Sequence, residues 1–91
     1  MKKNWEDDAW EDYLYWQSQD KKTLKKINII LQDIDRNAYN CSSHLEKLKG
    51  NMDGYFSVHI DKKNRIVFKI NTVNGKNELV IIQCGSHYRD K

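Results

Sequence analysis

Apolar positions recur with a helical period up to about residue 37 of this chain and with a strand period from about residue 54 onward. Trp10, Tyr13, Leu14 and Gln17 fall at i, i+3, i+4 and i+7, and Tyr15 and Trp16 widen that face. Negative charge at Glu6, Asp7 and Asp8 suits the start of this helix, where the exposed N–H groups leave a partial positive charge. Aromatic residues at helical spacing mostly form core, so this face is expected to be buried. Ser18-Gln19-Asp20 interrupts the pattern, and Asp20 is suited to cap a second helix. In that helix Leu24, Ile27, Leu31 and Ile34 form an apolar stripe with Ile30 beside it, while Lys21, Lys22, Lys25 and Lys26 stay on the solvent side. So short a link predicts an αα-hairpin. Lys2 to Trp5 reads as a short edge strand ahead of it. Residues 37–44 have no periodicity and read as a connector, with His44 on the surface.

The second half alternates. Phe56, Val58 and Ile60 share one side of a strand, and Ile66, Phe68 and Ile70 share one side of the next. Matching the two apolar faces pairs Ile60 with Ile66, Val58 with Phe68 and Phe56 with Ile70. That register leaves Lys62-Lys63-Asn64 as a three-residue loop with Asn64 in the left-handed region. His59 and Arg65 then share the outer face. Asn74-Gly75 is a strong hairpin signal, compatible with a two- or a three-residue loop. It leads into Glu78–Cys84, whose nearly continuous apolar run predicts a strand buried on both sides and central in its sheet. The predicted fold is a single α+β domain over residues 1–91, two N-terminal helices packed on a three- to four-stranded antiparallel sheet.

Composition narrows the class. At 91 residues, 32% charged and 38% hydrophobic, the chain suits a small globular domain. No run approaches the roughly 20 apolar residues of a membrane-spanning helix. The basic residues at the N-terminus have no apolar stretch behind them, which argues against an export signal and for a cytoplasmic protein. Cys41 and Cys84 are then expected to be reduced, small, semi-buried side chains. A zinc site needs further ligands at regular spacing, and the three histidines do not supply them. Charge is segregated: residues 1–20 hold two Lys against six Asp/Glu, residues 21–91 fourteen Lys/Arg against seven. The basic part is where a polyanion would bind, though a surplus of this size also serves solubility.

The residues on and around the predicted hairpin carry chemistry. RNA supplies its own nucleophile, the 2′-OH. Cleavage needs a base for that proton, an acid for the departing 5′-oxygen, and positive charge at the phosphate. Glu46 fits the base, His87 the acid, and Arg65 a bidentate clamp on phosphate oxygens. Lys49 and His59 add charge nearby, and Tyr55 and Tyr88 suit stacking on bases. Each residue also has a plainer reading. Glu46 is one of many surface carboxylates, Arg65 lies across from Asp61 in the predicted register and can pair with it, and His87 is near a terminus.

The chain resembles the YoeB/Txe-type toxins of the RelE superfamily, ribosome-dependent mRNA endonucleases of bacterial toxin–antitoxin modules. The resemblance is carried by Trp5, Ala9-Trp10-Glu11-Asp12-Tyr13-Leu14-Tyr15-Trp16-Gln17, Asp20-Lys21 and Lys25-Lys26-Ile27-Asn28. It continues through Glu46-x-Leu48-Lys49-x-Asn51, Gly54, Ser57, Ile60, Arg65 and Val67, and closes with Cys84 and His87-Tyr88, nearly end to end. It implies a RelE-like, microbial-RNase-like fold and metal-independent cleavage of mRNA in the ribosomal A site. It assigns Glu46 as general base, Arg65 as transition-state stabiliser and His87 as general acid, with Lys49 and Tyr88 assisting on the RNA beside His59. It also implies a cognate antitoxin whose tail covers the active face, and a homodimer. Three departures bear on ribosome affinity and codon preference: His59 where the family commonly carries Arg, Gly85-Ser86 before the histidine, and a longer hairpin at Val73-Asn74-Gly75-Lys76. The rival readings are a non-catalytic RNA- or ribosome-binding module of the same fold, and a protein whose basic face docks an acidic peptide.

Overall fold

Two helices, five strands and two short 3-10 turns make up the described residues, 1–85, of the computed structural model. In chain order they are β1 (Lys2–Trp5), α1 (Asp7–Gln19), α2 (Lys21–Asn37), β2 (Glu46–Lys47), β3 (Phe56–His59), β4 (Arg65–Val73) and β5 (Lys76–Gly85), with the turns at Ala38–Asn40 and Gly50–Met52. His87, Tyr88, Arg89 and Ser86 lie outside the described residues.

α2 forms as its stripe predicts. Ile27, Ile30, Leu31 and Ile34 are buried and the four lysines are exposed. Full burial of each such side chain is worth about 1.5–3 kcal/mol. The helical hairpin turns on one residue. The Asp20 backbone is extended, which ends α1, and its carboxylate then accepts from the Thr23 N–H (3.1 Å) and hydroxyl (2.8 Å) to start α2. Those bonds, the backbone one foremost, hold the Asp20 carboxyl below its ordinary value.

α1 buries a different face from the one its aromatic spacing predicts. Ala9 is fully buried and Asp12, Tyr13 and Trp16 are half-buried, whereas Trp10 and Leu14 remain 44% and 43% exposed and Gln17 faces solvent. Trp5, Trp10 and Tyr13 cluster at the rim with ring centroids 4.8–5.9 Å apart, Trp10 stacked on Tyr13 and Trp5 edge-on to Trp10. The docked face of α1 is Ala9 with the Tyr13 and Trp16 rings packed on the core beside Asp12, so the stripe Trp10, Tyr13, Leu14 and Gln17 is rotated away from the sheet except at Tyr13.

The sheet has five strands in the order β1-β5-β4-β3-β2 and is mixed, which corrects the expected three- to four-stranded antiparallel sheet. β1 is an edge strand as expected, but it runs parallel to β5, from Lys2 opposite Glu78 to Trp5 opposite Ile81. Polar Lys2-Lys3-Asn4 shows neither alternation nor a nearby partner, because its partner is at the far end of the chain. β2 is a two-residue rung, too short for alternation to mark it as a strand. β4 is the middle strand, and β5 lies one place off centre.

The β3–β4 register differs from the expected one by two residues. Val58 stands opposite Ile66, Phe56 opposite Phe68 and His59 opposite Arg65. A shift of two keeps every apolar side chain on its own face, so face matching cannot detect it. The loop decides it. Asp61 Oδ1 accepts from the backbone N–H groups of Lys63 (2.9 Å) and Asn64 (2.8 Å), and the Asn64 side chain binds the same carboxylate. Asn64 is therefore not in the left-handed region, which among the described non-glycine residues is entered by Ala38 and Asn74. At the other hairpin Asn74 (φ 53°) and Gly75 (φ 77°) form a two-residue turn between Val73 and Lys76, settling the loop length left open above.

β5 carries a bulge. Val67 pairs with Gln83 and Phe68 with Ile81, leaving Ile82 as the extra residue. Leu79 and Ile81 point to the helices, and the bulge lets Cys84, three positions on, join them in the core.

Candidate active face

Strand period and register together fill the sheet face turned away from the helices. Glu46 is paired across from Ser57, and His59, two residues along β3, is paired across from Arg65. Arg65 is in turn opposite Gly85 at the end of β5. Three predicted site residues from three strands thus share one face. Glu46 Oε1 stands 3.7 Å from His59 Nε2, an ion-pair separation longer than a hydrogen bond. Both side chains are about half exposed (49% and 56%), so the pair is worth about 0–1 kcal/mol at most and either partner can turn to a ligand.

Arg65 is exposed and, among the described residues, forms no ion pair. The alternative pairing with Asp61 is ruled out by the register, since Asp61 is turned into its own loop. Lys49 is exposed where β2 leads into the Gly50–Met52 turn, three residues on from Glu46. His44 is exposed in the connector, as expected. His87 and Tyr88, the predicted acid and stacking residue, fall beyond the described residues.

The same face holds residues that sequence reasoning passed over. Lys69, two steps of two along β4 from Arg65, lies over the Tyr55 ring at 4.9 Å, and the period-2 pattern from Arg65 could have found it. Ser57, Val67 and Val80 are buried in the floor of the face, and the Ser57 hydroxyl has no hydrogen-bond partner among the described residues. Neither cysteine resembles a nucleophile. Burial first, and the nearby Asp12 charge second, push the Cys84 thiol up to about 12, and burial also raises half-buried Cys41. Among the described residues no cluster of three His, Cys, Asp or Glu suits a metal ion, and no helix is long and apolar enough to cross a membrane.

A helical hairpin backing a mixed sheet, with a carboxylate, an imidazole and a guanidinium on the open face, defines a small α+β protein with one charged, solvent-facing sheet face. The comparisons narrow this class. Residues 5–88 match the model of the YoeB-like toxin of bacterial type II toxin–antitoxin systems, and the chain belongs to that family. Toxin YoeB of Escherichia coli O6:H1 is 38% identical over 88 residues, covering 97% of this chain and all of the relative. The solved YoeB/ParE toxin from Agrobacterium tumefaciens superposes with a TM-score of 0.88 at 34% identity, over 97% of this chain and 100% of the other. YoeB from Staphylococcus aureus, solved in a heterotetrameric YoeB–YefM toxin–antitoxin complex (TM-score 0.81, 38% identity) and as a dimer (0.79, 39%), covers the same 97%, with 98% of its own chain matched.

Proposed function

We propose that this chain is a ribosome-dependent endoribonuclease toxin that cleaves mRNA in the ribosomal A site by metal-independent general acid–base chemistry. The observation that carries the reading is the convergence of Glu46, His59 and Arg65 from three strands on one open face. Family membership supports the toxin role. In the proposed reaction Glu46 takes the 2′-OH proton as O2′ attacks phosphorus. The P–O5′ bond breaks, and His87 gives its proton to the departing 5′-oxygen. Arg65, exposed and without an ion-pair partner among the described residues, clamps the non-bridging oxygens as charge builds on them. Lys49 and His59 hold the flanking phosphates and Tyr88 stacks on a base. His59 has to exchange Glu46 for phosphate when RNA enters, which their weak contact permits.

An open sheet face gives a weak hold on free RNA, so the message must be held in line by something else, and the decoding site of the ribosome supplies that alignment. Correct alignment is worth several kcal/mol of barrier, on the order of 7–11 in the most favourable cases. The lysines of α2 dock on ribosomal RNA. The protein works in the cytoplasm, where ribosomes are. A cognate antitoxin silences it by covering the Glu46–His59–Arg65 face, as the YoeB–YefM pairing of the Staphylococcus aureus relative suggests, and two copies associate as in that relative's dimer.

A paired single-turnover assay on free and ribosome-bound copies of one message tests this. Glu46→Gln, Arg65→Ala and His87→Gln should each slow cleavage by about 100-fold or more. EDTA should be harmless, and products should end in 2′,3′-cyclic phosphate and 5′-hydroxyl. Binding without cleavage by the unaltered protein would leave a non-catalytic ribosome-binding module. Equal rates on free and bound message would leave a freestanding RNase, and 5′-phosphate ends would require a metal mechanism.

A further inference from the structure

The outer face of the sheet repeats one arrangement. Arg65 on β4 stands across from the His59 ring on β3, and the next rung on that face pairs Ser57 with Val67, both small and buried. Continued one rung further, the same register puts Tyr55 across from Lys69, whose Nζ lies 4.9 Å from the centre of the Tyr55 ring. A cation on β4 facing a planar ring on β3 thus occurs twice, the two rungs about 13 Å apart at the usual rise of a strand. On its other side Lys69 is opposite Val80, and among the described residues its ammonium has no carboxylate partner. Lys69 and Tyr55 are both half-buried, which restricts where their ends can go. One lysine–tyrosine pair is ordinary cross-strand packing. Its repetition, at the period of the face that carries Arg65, suits a polymer of alternating charges and flat rings.

We propose that Lys69 and Tyr55 form a subsite for a nucleotide flanking the cut, Tyr55 stacking on its base and Lys69 taking its phosphate. This rests on the reading of the face as an RNA site, with Arg65 on the scissile phosphate. With its ammonium held at the Tyr55 ring, two rungs from Arg65, Lys69 meets a different phosphate of the same strand. In the free protein that ammonium covers the ring a base would use. The exchange favours RNA, because a cation over a partly exposed ring is a weaker contact than a base stacked on it, and the released ammonium gains a phosphate charge.

The probe is a short single-stranded RNA methylated at every 2′-oxygen, which has no nucleophile to offer and stays intact wherever the cut would fall. Its binding to the full chain is titrated over a range of salt. Lys69→Met, which keeps the stem and drops the charge, should lower the slope of log affinity against log salt by about 0.7, the share of one phosphate contact on a single strand. Lys69→Arg should restore that slope. Tyr55→Leu should leave the slope unchanged, weaken binding about fivefold or more at every salt, and lose nothing on an abasic strand with the same phosphates. A partly unfolded variant loses affinity by one factor at all salts and on both strands, so it cannot imitate either signature. Equal loss on the two strands for Tyr55→Leu would mean that the ring does not stack on a base, and would overturn the subsite. If Arg65→Ala lowers the slope and Lys69→Met does not, RNA crosses the face without reaching this rung. The pair is then cross-strand packing or a docking point for an acidic protein segment, and the inference is wrong while the RNA reading stands. If Arg65→Ala leaves the slope unchanged as well, the face is not an RNA site, and the subsite fails with it.

Discussion

The two helices of one hairpin are held to the same sheet by different physics. α2 enters the core with four buried aliphatic side chains at steps of three and four residues, and its lysines stay in water. α1 brings one fully buried residue, Ala9, packs the half-buried rings of Tyr13 and Trp16 against the core, and adds directed bonds: Asp12 and Trp16 to Cys84 at the sheet, and Tyr13 Oη to Asn28 Oδ1 of α2 at 2.7 Å. Burial of hydrocarbon is non-directional and tolerates small shifts, whereas hydrogen bonds at 2.7–2.9 Å fix rotation and height. A helix attached by apolar area sets stability. A helix attached by hydrogen bonds sets geometry, and α1 is attached at the end of β5.

The first way to break this contrast is to cut into α2. Ile34→Ala should cost about 2–5 kcal/mol, because Ile34 is fully buried and truncation removes buried hydrocarbon and leaves a cavity. Urea unfolding measures it through the midpoint at unchanged slope. A cost below about 1 kcal/mol would mean that the α2 stripe is not the anchor it is taken for.

The same contrast explains what could be read from the chain in advance. α2 was legible because hydrocarbon burial leaves a periodic trace: the stripe of Leu24, Ile27, Leu31 and Ile34 with Ile30 contains all four buried residues. α1 was legible as a helix but not in its orientation, since the most apolar face by spacing is not the one that docks. Ala9 is too small to register as a core residue, and the partner of Asp12 and Trp16 is a backbone group 68 to 72 positions away that no local pattern encodes. On the sheet, the two apolar faces were legible, and so was the sharing of one outer face by His59 and Arg65. Their direct pairing was not, because Asp61 capping its own loop moves the register by two. Nor were the parallel edge strand β1 and the short β2, whose partners are set by tertiary contact and not by alternation. The assignment of Glu46 as base came from chemistry and resemblance, and the register adds that Glu46 and His59 lie together.

A smaller effect probes the seam between the two helices. Tyr13→Phe deletes the hydroxyl that donates to Asn28 and keeps the ring that packs on Trp5. The expected loss is about 0.5–1.5 kcal/mol, since the Asn28 oxygen retains partial access to water. If α1 is fixed by directed bonds, this variant should also loosen the helix. Amide exchange should rise along α1 and leave the middle of α2 unchanged. Faster exchange in both helices alike would show the hairpin opening as one unit, and the division between them would be wrong.

The smallest effect is the sharpest check on which face of α1 is the docked one. By spacing, Leu14 belongs to the same stripe as Trp10 and Tyr13 and should behave as Ile34 does. In the fold it is 43% exposed, beside Trp10 at 44% and Tyr15 at 56%. Leu14→Gln should therefore change the stability of the isolated chain by less than about 0.5 kcal/mol, the usual range for a surface substitution. Repeating the urea titration over a range of protein concentrations separates two outcomes. A loss of about 2 kcal/mol at every concentration would place Leu14 in the core and overturn the observed rotation of α1. A loss that grows with concentration would instead place this exposed apolar strip between two copies of the chain, because only an assembled state can make stability depend on the amount of protein. In that case α1 would have two working faces: the polar one holding the end of β5, and the apolar one holding a partner.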